Sequence, residues 1–317
     1  MTVATIARQP VRPRALEQEP ARATHRPRRA RELAPIYVAI APFYVVFAVF
    51  GLFPVVFSLW LAFHRWDGIG PMRWVGLDQF RFLLTDSSFY HSLWVTFVIW
   101  VLSTVPMLVL ALIVAFALNS SIRRVGLYRI AFFIPNITST VAIAIVFGSV
   151  FSNNFGLLNA VFQGLGLDSF PWLTSQWGIR IAVATMLVWR WTGYNAIIFL
   201  AGLQAIPTDV LEAARVDGAG PFQTAVRVLL PMLRPIILFT VITSTIGGLQ
   251  VFAEPQVLVG TTGGPGAAGM TTVLYLYQQA FSQQQFGYGA AIGWGLFVVL
   301  ILFSILNWRI VQRIGNR

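Results

Sequence analysis

Residues 207–231 read Pro207-Thr-Asp-Val-Leu-Glu-Ala-Ala-Arg-Val-Asp-Gly-Ala-Gly-Pro-Phe-Gln-Thr-Ala-Val-Arg-Val-Leu-Leu-Pro231. A plain connection between two apolar stretches would be short and polar, whereas this one carries the marks of two short helices. Asp209 is placed to cap the first, with Glu212 three positions later to complete a capping-box-like pair. Gly218 suits the left-handed position at that helix's end, where a Cβ would clash. Pro221 can begin the second helix at a position whose N–H has no helical partner anyway, and Pro231 interrupts before the fifth span. On the first helix Val210, Leu211, Ala213 and Ala214 offer small or apolar faces among Glu212, Arg215 and Asp217. Small side chains let a helix approach another surface closely while charges fix its register, which describes a rigid, bent docking lever. An amphipathic helix lying on lipid has the same pattern.

Both flanks of this segment are apolar, and so is most of the chain. Of 317 residues 57% are hydrophobic and only 10% charged, with a mean hydropathy of +0.72; a soluble domain carries about 25% charged residues. The composition therefore favours one membrane-embedded, all-α domain. A helix needs about 20 apolar residues to cross a bilayer, and predominantly apolar stretches of that size place six helices near 34–63, 92–118, 130–151, 179–205, 234–258 and 286–309. The transmembrane domain spans 34–309, preceded by an Arg/Pro-rich tail at 1–33 and followed by a tail at 310–317. No apolar run precedes position 34, which argues against a cleaved signal peptide. The tail lacks aromatics between its arginines, so it reads as a topology-setting segment, not a nucleic-acid binder.

All 22 basic residues are arginine. The tail to Arg31 has eight, and the 119–129 loop, the 207–234 loop and the end after Trp308 have three each, so 17 fall on alternate segments. The opposite loops carry Arg65, Arg73 and Arg81, balanced by Asp67, Asp78 and Asp86. By the positive-inside rule both termini are cytoplasmic. The absence of lysine excludes a phosphate-loop lysine and a Schiff-base lysine. The absence of cysteine excludes disulfides, iron–sulfur clusters and thiolate zinc sites. His25, His64 and His91 are too scattered to form a metal motif, so neither a catalytic nor a metal site is expected.

The spacing Glu212-Ala213-Ala214, three residues, Gly218, nine residues, then Val228-x-Leu230-Pro231 resembles the EAA loop of binding-protein-dependent ABC importer permeases. That family usually has isoleucine where this chain has Val228. Trp74-Val-Gly-Leu-Asp-Gln-Phe80, Ala201-Gly-Leu-Gln-Ala-Ile-Pro207, Gly263-Gly-Pro265 and Phe286-Gly-Tyr-Gly-Ala-Ala-Ile292 resemble its carbohydrate-uptake branch, the maltose, lactose and glycerol-phosphate type. The resemblance covers about 36–310. It implies the type I importer fold, a bacterial inner-membrane location, and a coupling helix that fits a cleft on an ATP-binding subunit. Glu212, Ala213, Ala214, Asp217, Gly218, Leu230 and Pro231 are the residues implied for that contact. The implied partners are a second permease, a dimer of ATP-binding subunits holding ATP and Mg, an external solute-binding protein and a sugar. No cofactor is implied on this chain.

Polar side chains at membrane depth mark pathways or helix contacts. Asn136, Thr138, Ser139 and Thr140 follow Pro135; Trp189-Arg190-Trp191-Thr192-Gly193-Tyr194-Asn195 lies in the fourth helix; Thr240, Thr243, Ser244, Thr245, Gln250 and Glu254 lie in the fifth. Aromatic faces stack on sugar rings while amides and hydroxyls replace water. Hydroxyls also bond within and between membrane helices, tryptophans also populate the interfacial belt, and Arg190 and Glu254 also fit a structural ion pair. Resemblance to maltose-type permeases singles out Asn136, Thr140, Trp189, Tyr194 and Ser244 for the substrate pathway. The implied mechanism has solute delivered to the 65–91, 152–178 and 259–285 loops while ATP closure pushes the 207–231 lever. An ion-coupled secondary transporter is the rival, with a membrane scaffold or receptor behind it; the rival's paired charges are present as Arg190, Glu254 and Arg180, but no internal repeat is.

Overall fold

The computed structural model describes residues 30–119 and 125–315. The expected tail up to residue 29, Arg123 and Arg124 of the 119–129 loop, and Arg317 lie outside the described residues. The chain divides at Pro54 into two compact units. The first holds α1 (Ala30–Phe47), one π turn (Ala48–Leu52) and the start of α2 (Phe53–Leu61). Its side chains from Tyr37 onward, Phe43 and Phe50 among them, are exposed, as suits a helix surrounded by lipid or other helices. Pro54 has no N–H, and its ring would meet the carbonyl four residues back. The wide turn before it, closed by Phe53 N–H to the Ala48 carbonyl, moves that carbonyl away.

The second unit begins with a short antiparallel ladder of β1 (His64–Arg65) and β2 (Arg73–Trp74), His64 facing Trp74. Then come α3 (Asp78–Thr85), α4 (Ser87–Asn119), α5 (Val125–Ile137), α6 (Thr140–Val150), α7 (Leu157–Gly164) and α8 (Gln176–Gln204). After these follow α9 (Thr208–Val216), α10 (Pro221–Thr224), a π turn (Ala225–Leu229), α11 (Leu230–Met232) and α12 (Arg234–Leu249). α13 (Ala253–Val259), α14 (Thr272–Tyr277), a third π turn (Gln278–Ser282) and α15 (Phe286–Gly315) complete it.

Among the described residues four helical runs are long and apolar enough to cross a membrane, Tyr37–Leu61, Ser87–Asn119, Arg234–Val259 and Phe286–Arg309, and the count reaches six if two bent pairs are single spans. The third expected helix, 130–151, is not one rod: its two pieces meet at 93°. Thr138 Oγ1 donates to the Ile134 carbonyl at 2.9 Å, and Ser139 leaves the helical region at ψ 129°. The fifth, 234–258, breaks at Gln250–Phe252 after the pair Gly247-Gly248, which has little helical preference. The sixth runs past the expected limit of 309 to Gly315.

α4 and α8 pack along each other, and their buried face is built from Ala111, Ala115, Ala196, Phe199, Leu200 and Leu203 with Leu229 and Leu233 from the segment before α12. Fully burying a leucine or phenylalanine contributes about 1.5–3 kcal/mol. α5 crosses α8 so closely at Gly193 that a Cβ there would stand 1.7 Å from the Phe132 carbonyl oxygen.

The connections at the opposite end are ordered. Asn159, 1% exposed, donates to the Asn153 and Phe170 carbonyls and accepts from Phe170 N–H and Trp172 Nε1, all within 2.9–3.0 Å. That single amide ties the 151–175 connection together. Asp86 accepts from the hydroxyls of Tyr275, at 2.5 Å, and Tyr288, and from Ser88 N–H. It thereby joins the start of α4 to α14 and α15 over a core of Leu83, Phe89, Leu274 and Ile292.

Candidate functional site

A cavity of about 500 Å³ lies between α4, α8, α12 and the 250–254 bend into α13. Helical periodicity selects its walls. Ser103, Thr104 and Met107 face it from α4, Leu187, Trp191, Tyr194 and Asn195 from α8, and Phe239, Thr243, Ser244 and Gly248 from α12. Close approach of the walls is possible because Gly248 has no side chain; a Cβ there would meet Trp100 at 2.6 Å. Asn195 Nδ2 donates to the Trp191 carbonyl at 3.0 Å, and its Oδ1 accepts from Ser244 Oγ at 3.5 Å. Thr243 and Ser103 donate to carbonyls of their own helices. The Trp191 and Tyr194 rings meet edge to face at 5.7 Å. The result is an aromatic and aliphatic wall with a few adaptable hydroxyls and amides, as small-molecule sites require.

At its edge Arg190 Nη1 pairs with Glu254 Oε1 at 3.0 Å, with side-chain exposures of 17% and 9%. The same nitrogen donates to Thr140 Oγ1, and the guanidinium carbon lies 5.6 Å from the Trp191 ring centre. Thr140 opens α6 and Glu254 lies in the first turn of α13, so one guanidinium joins α8 to the two helix starts that follow the breaks. A carboxylate is favoured at a helix N-terminus. Arg180, 4% exposed, donates Nε to the Ala268 carbonyl at 3.4 Å. The charges that would have served an ion-coupled carrier are thus engaged internally.

Of the five expected pathway residues, Tyr194 and Ser244 line the cavity. Thr140 reaches its edge only through Arg190. Asn136 and Trp189 are not among the lining residues. Trp189 lies about 200° around the helix from Trp191 and packs on Phe147 of α6 at 5.7 Å. Sequence reasoning passed over Ser103 and Thr104, the one adjacent hydroxyl pair in the apolar interior of α4 just before Pro106, and it noted Asn195 and Thr243 without choosing them.

The 207–231 segment folds into the expected short helices, α9 and then α10 with the π turn and α11. α9 turns 73° away from α8. Its end is a full Schellman motif: Gly218 has φ +77°, Gly218 N–H reaches the Arg215 carbonyl and Ala219 N–H the Ala214 carbonyl at 3.0 and 2.9 Å. Asp209 is not the cap. Pro207 occupies that position and Asp209 lies inside the first turn, without a side-chain cap bond, where its charge still suits the helix dipole. Pro221 opens α10. The expected interruption before α12 comes at Leu233, two residues past Pro231; the π turn ahead of Pro231, closed by Leu230 N–H to the Ala225 carbonyl, accommodates its ring. Ala214 is buried while Glu212, Ala213, Asp217 and Gly218 are exposed, and Leu229 and Leu233 fasten the base to α4 and α8. Leu230 and Pro231 border a second, apolar hollow of about 520 Å³ against Leu108 and Leu112 of α4. Among the described residues no group of three or more His, Asp or Glu could hold a metal ion.

Comparison with known proteins identifies this architecture. Residues 85–316 match the family described as binding-protein-dependent transport system inner membrane component. The lactose transport system permease protein LacF of Rhizobium radiobacter is 35% identical over 259 residues, covering 80% of this chain and 86% of its own. The arabinooligosaccharides transport system permease protein AraP of Bacillus subtilis is 34% identical over 245 residues, 76% of this chain and 77% of that one. A chain in the crystal structure of a bacterial ABC transporter involved in importing the acidic polysaccharide alginate superposes with a TM-score of 0.77 at 22% identity, over 90% of this chain and 97% of that one. The chain is therefore a member of the binding-protein-dependent transport system inner membrane component family.

Proposed function

We propose that the chain is one of two permease subunits of an ATP-driven importer of neutral sugars in a bacterial inner membrane. The observation that carries this is the cavity between α4, α8 and α12. Trp191, Tyr194 and Phe239 offer ring faces, Asn195, Gln250, Thr243 and Ser244 offer amides and hydroxyls, and the one charged lining residue, Glu254, is held by Arg190. Such a wall binds an uncharged polyol weakly and has no free charge for an acidic one. The names of the lactose and arabinooligosaccharide relatives support the same class.

Coupling falls to α9 and its end, whose Glu212, Ala213, Asp217 and Gly218 are exposed and whose Ala214 is buried beneath them. Glu212, Ala213, Ala214, Asp217 and Gly218, with Leu230 and Pro231 at the base, form the lever for two ATP-binding subunits, which hold ATP and Mg. An external solute-binding protein delivers sugar to the 65–91, 152–178 and 259–285 connections. Six spans with both termini in the cytoplasm complete the arrangement. ATP closure moves the lever and the bundle switches access, driven by differential binding of the two states.

The test is reconstitution of the full complex in liposomes. Loaded binding protein should stimulate ATP hydrolysis, and labelled lactose, maltose, trehalose or an arabinose trisaccharide should accumulate. Uptake of none of these, or uptake without the ATP-binding subunits, refutes the proposal.

A further inference from the structure

Phe252, which lines the cavity, is the first of five aromatic rings that lead away from it. Its ring centre lies 5.1 Å from that of Tyr277, Tyr277 lies 5.1 Å from Phe281, Phe281 lies 5.7 Å from Phe286, and Phe286 lies 5.5 Å from Trp66. The rings come from four separate places in the chain: the 250–252 break, the end of α14 with its π turn, the start of α15, and the turn between β1 and β2. The far end is rigidly built. Trp66 Nε1 donates to the Gly70 carbonyl at 2.9 Å. Asp67 accepts from Ile69 and Gly70 N–H, chiefly Gly70, which holds its carboxyl below the usual range. Gly68, at φ +96°, lets Phe286 sit against the backbone, where a Cβ would be 2.7 Å from the ring.

Two features say what such a row takes. From Pro255 to Trp308 the sequence has no charged residue, yet Gln278, Gln279, Gln283, Gln284 and Gln285 alternate with the rings. Gln283, Gln284 and Gln285 are exposed. Phe281, in the middle of the row, is 59% exposed although nothing in a core requires it there. Ring faces with neutral amides beside them match the two surfaces of a sugar, its C–H face and its hydroxyl rim. Tyr277 and Phe281, four positions apart, share one side of the helix, and the π turn at Gln278–Ser282 beside them is a distortion that recurs at functional sites.

We infer that Phe252, Tyr277, Phe281, Phe286 and Trp66 form a track along which a neutral sugar passes, ring to ring, from the outer connections to the cavity. The inference rests on the sugar-importer reading and deepens it. Steps of this length keep a passing sugar in contact with the next ring before it leaves the last, so no single position traps it.

The experiment uses the reconstituted complex with binding protein and labelled lactose or maltose, whichever the wild type carries, and measures sugar accumulated per ATP hydrolysed. Phe281→Ala should lower that ratio about five- to tenfold, the scale of one lost aromatic contact, while binding-protein-stimulated hydrolysis is kept. Phe281→Tyr should restore it. Phe281→Leu, which keeps apolar bulk without a ring, should behave like Phe281→Ala. An unchanged ratio in Phe281→Ala, or a wild-type ratio in Phe281→Leu, overturns the track. So does loss of the second permease on purification of Phe281→Ala, which would place the ring in a subunit contact. A wild-type complex that carries no neutral sugar overturns the sugar reading itself, and the track with it.

Discussion

Removing one partner of the Arg190–Glu254 pair should harm the protein far more than removing both. The two groups are 3.0 Å apart with side-chain exposures of 17% and 9%, so neither can turn to water. At an effective dielectric of about 20 the Coulomb attraction at that separation is about 5–6 kcal/mol, largely offset by the cost of desolvating both ions. Arg190→Leu leaves the Glu254 carboxylate buried and alone, a situation that costs about 3–5 kcal/mol. It also strips Thr140 of its donor and frees the starts of α6 and α13. Glu254→Leu leaves the guanidinium with Thr140 and the Trp191 ring, a smaller but similar loss. The double variant Arg190→Leu/Glu254→Leu restores charge balance and should recover most of the stability, though not the tie between the two helix starts. The assay is thermal unfolding of the detergent-purified complex by size-exclusion fluorescence. Losses of 3–5 kcal/mol correspond to a fall on the order of 10 °C for the single variants, and the double variant should fall within a few degrees of the wild type. If each single variant unfolds at the wild-type temperature, or the double falls by the sum of the singles, the pair does not hold these breaks together.

Three further outcomes follow from the geometry. Gly218→Val should weaken the end of α9 by about 1–2 kcal/mol through its φ of +77° alone, since a Cβ there meets nothing within 4 Å; Gly218→Asn, which tolerates that conformation, should assemble and transport normally, and equal loss in both would refute a conformational cause. Gly193→Ala should separate α5 from α8, because its methyl would stand 1.7 Å from the Phe132 carbonyl oxygen; the cost, about 1–3 kcal/mol or more, is read as lowered thermal stability and faster proteolysis around 120–140. The Asp86 cluster should confer pH-dependent stability at both extremes. Burial pushes the Asp86 carboxyl up, but the Tyr275 and Tyr288 hydroxyls and the Ser88 N–H outweigh it and leave it below the usual carboxylate range. Its contribution is therefore full above that range and lost as the pH falls through the lowered value. Burial, then Asp86 itself, raises the Tyr275 phenol to about 12, so that contribution is full below its ordinary value of 10.0 and fades as the pH climbs towards 12. Unfolding temperature against pH should show both limbs in the wild type, and Asp86→Asn should flatten the acid one.

The long apolar helices and the short helices of 207–231 were legible because each rests on local chemistry: long, mostly apolar runs for the former, Gly218 and Pro221 at fixed offsets for the latter. The breaks were less so. Pro135 lies inside α5 without stopping it, and the chain bends where Thr138 bonds back to Ile134 and Ser139 extends. The cap of α9 was misplaced by the strength of the Asp209–Glu212 pattern, which Pro207 overrides by fixing its own backbone. Within the candidate site, residue type proved a weaker guide than helical phase. Trp189 and Trp191 are chemically alike and two positions apart, yet only Trp191 faces the cavity, together with Leu187, Tyr194 and Asn195. Ser103 and Thr104 were hidden by their apolar surroundings. The ties made by Asn159 and Asp86 depend on partners up to 202 positions away, which no local pattern reveals.

The π turn at Ala225–Leu229 has a consequence for how sequence length matters here. Each residue of an α-helix advances the direction of side chains by about 100°. The wide turn absorbs one extra residue ahead of α12, because its five residues sweep about the same angle as four of an ordinary helix, so the phase of everything downstream is kept. Deleting a single residue within 225–229 would leave Thr243 and Ser244 on the cavity wall, but the turn would close to an ordinary helix and bring a carbonyl against the Pro231 ring. The extra residue is thus the room that the proline needs, and a frame-preserving loss of one amino acid there would keep the hydroxyls aimed at the cavity while kinking the segment that joins them to α9.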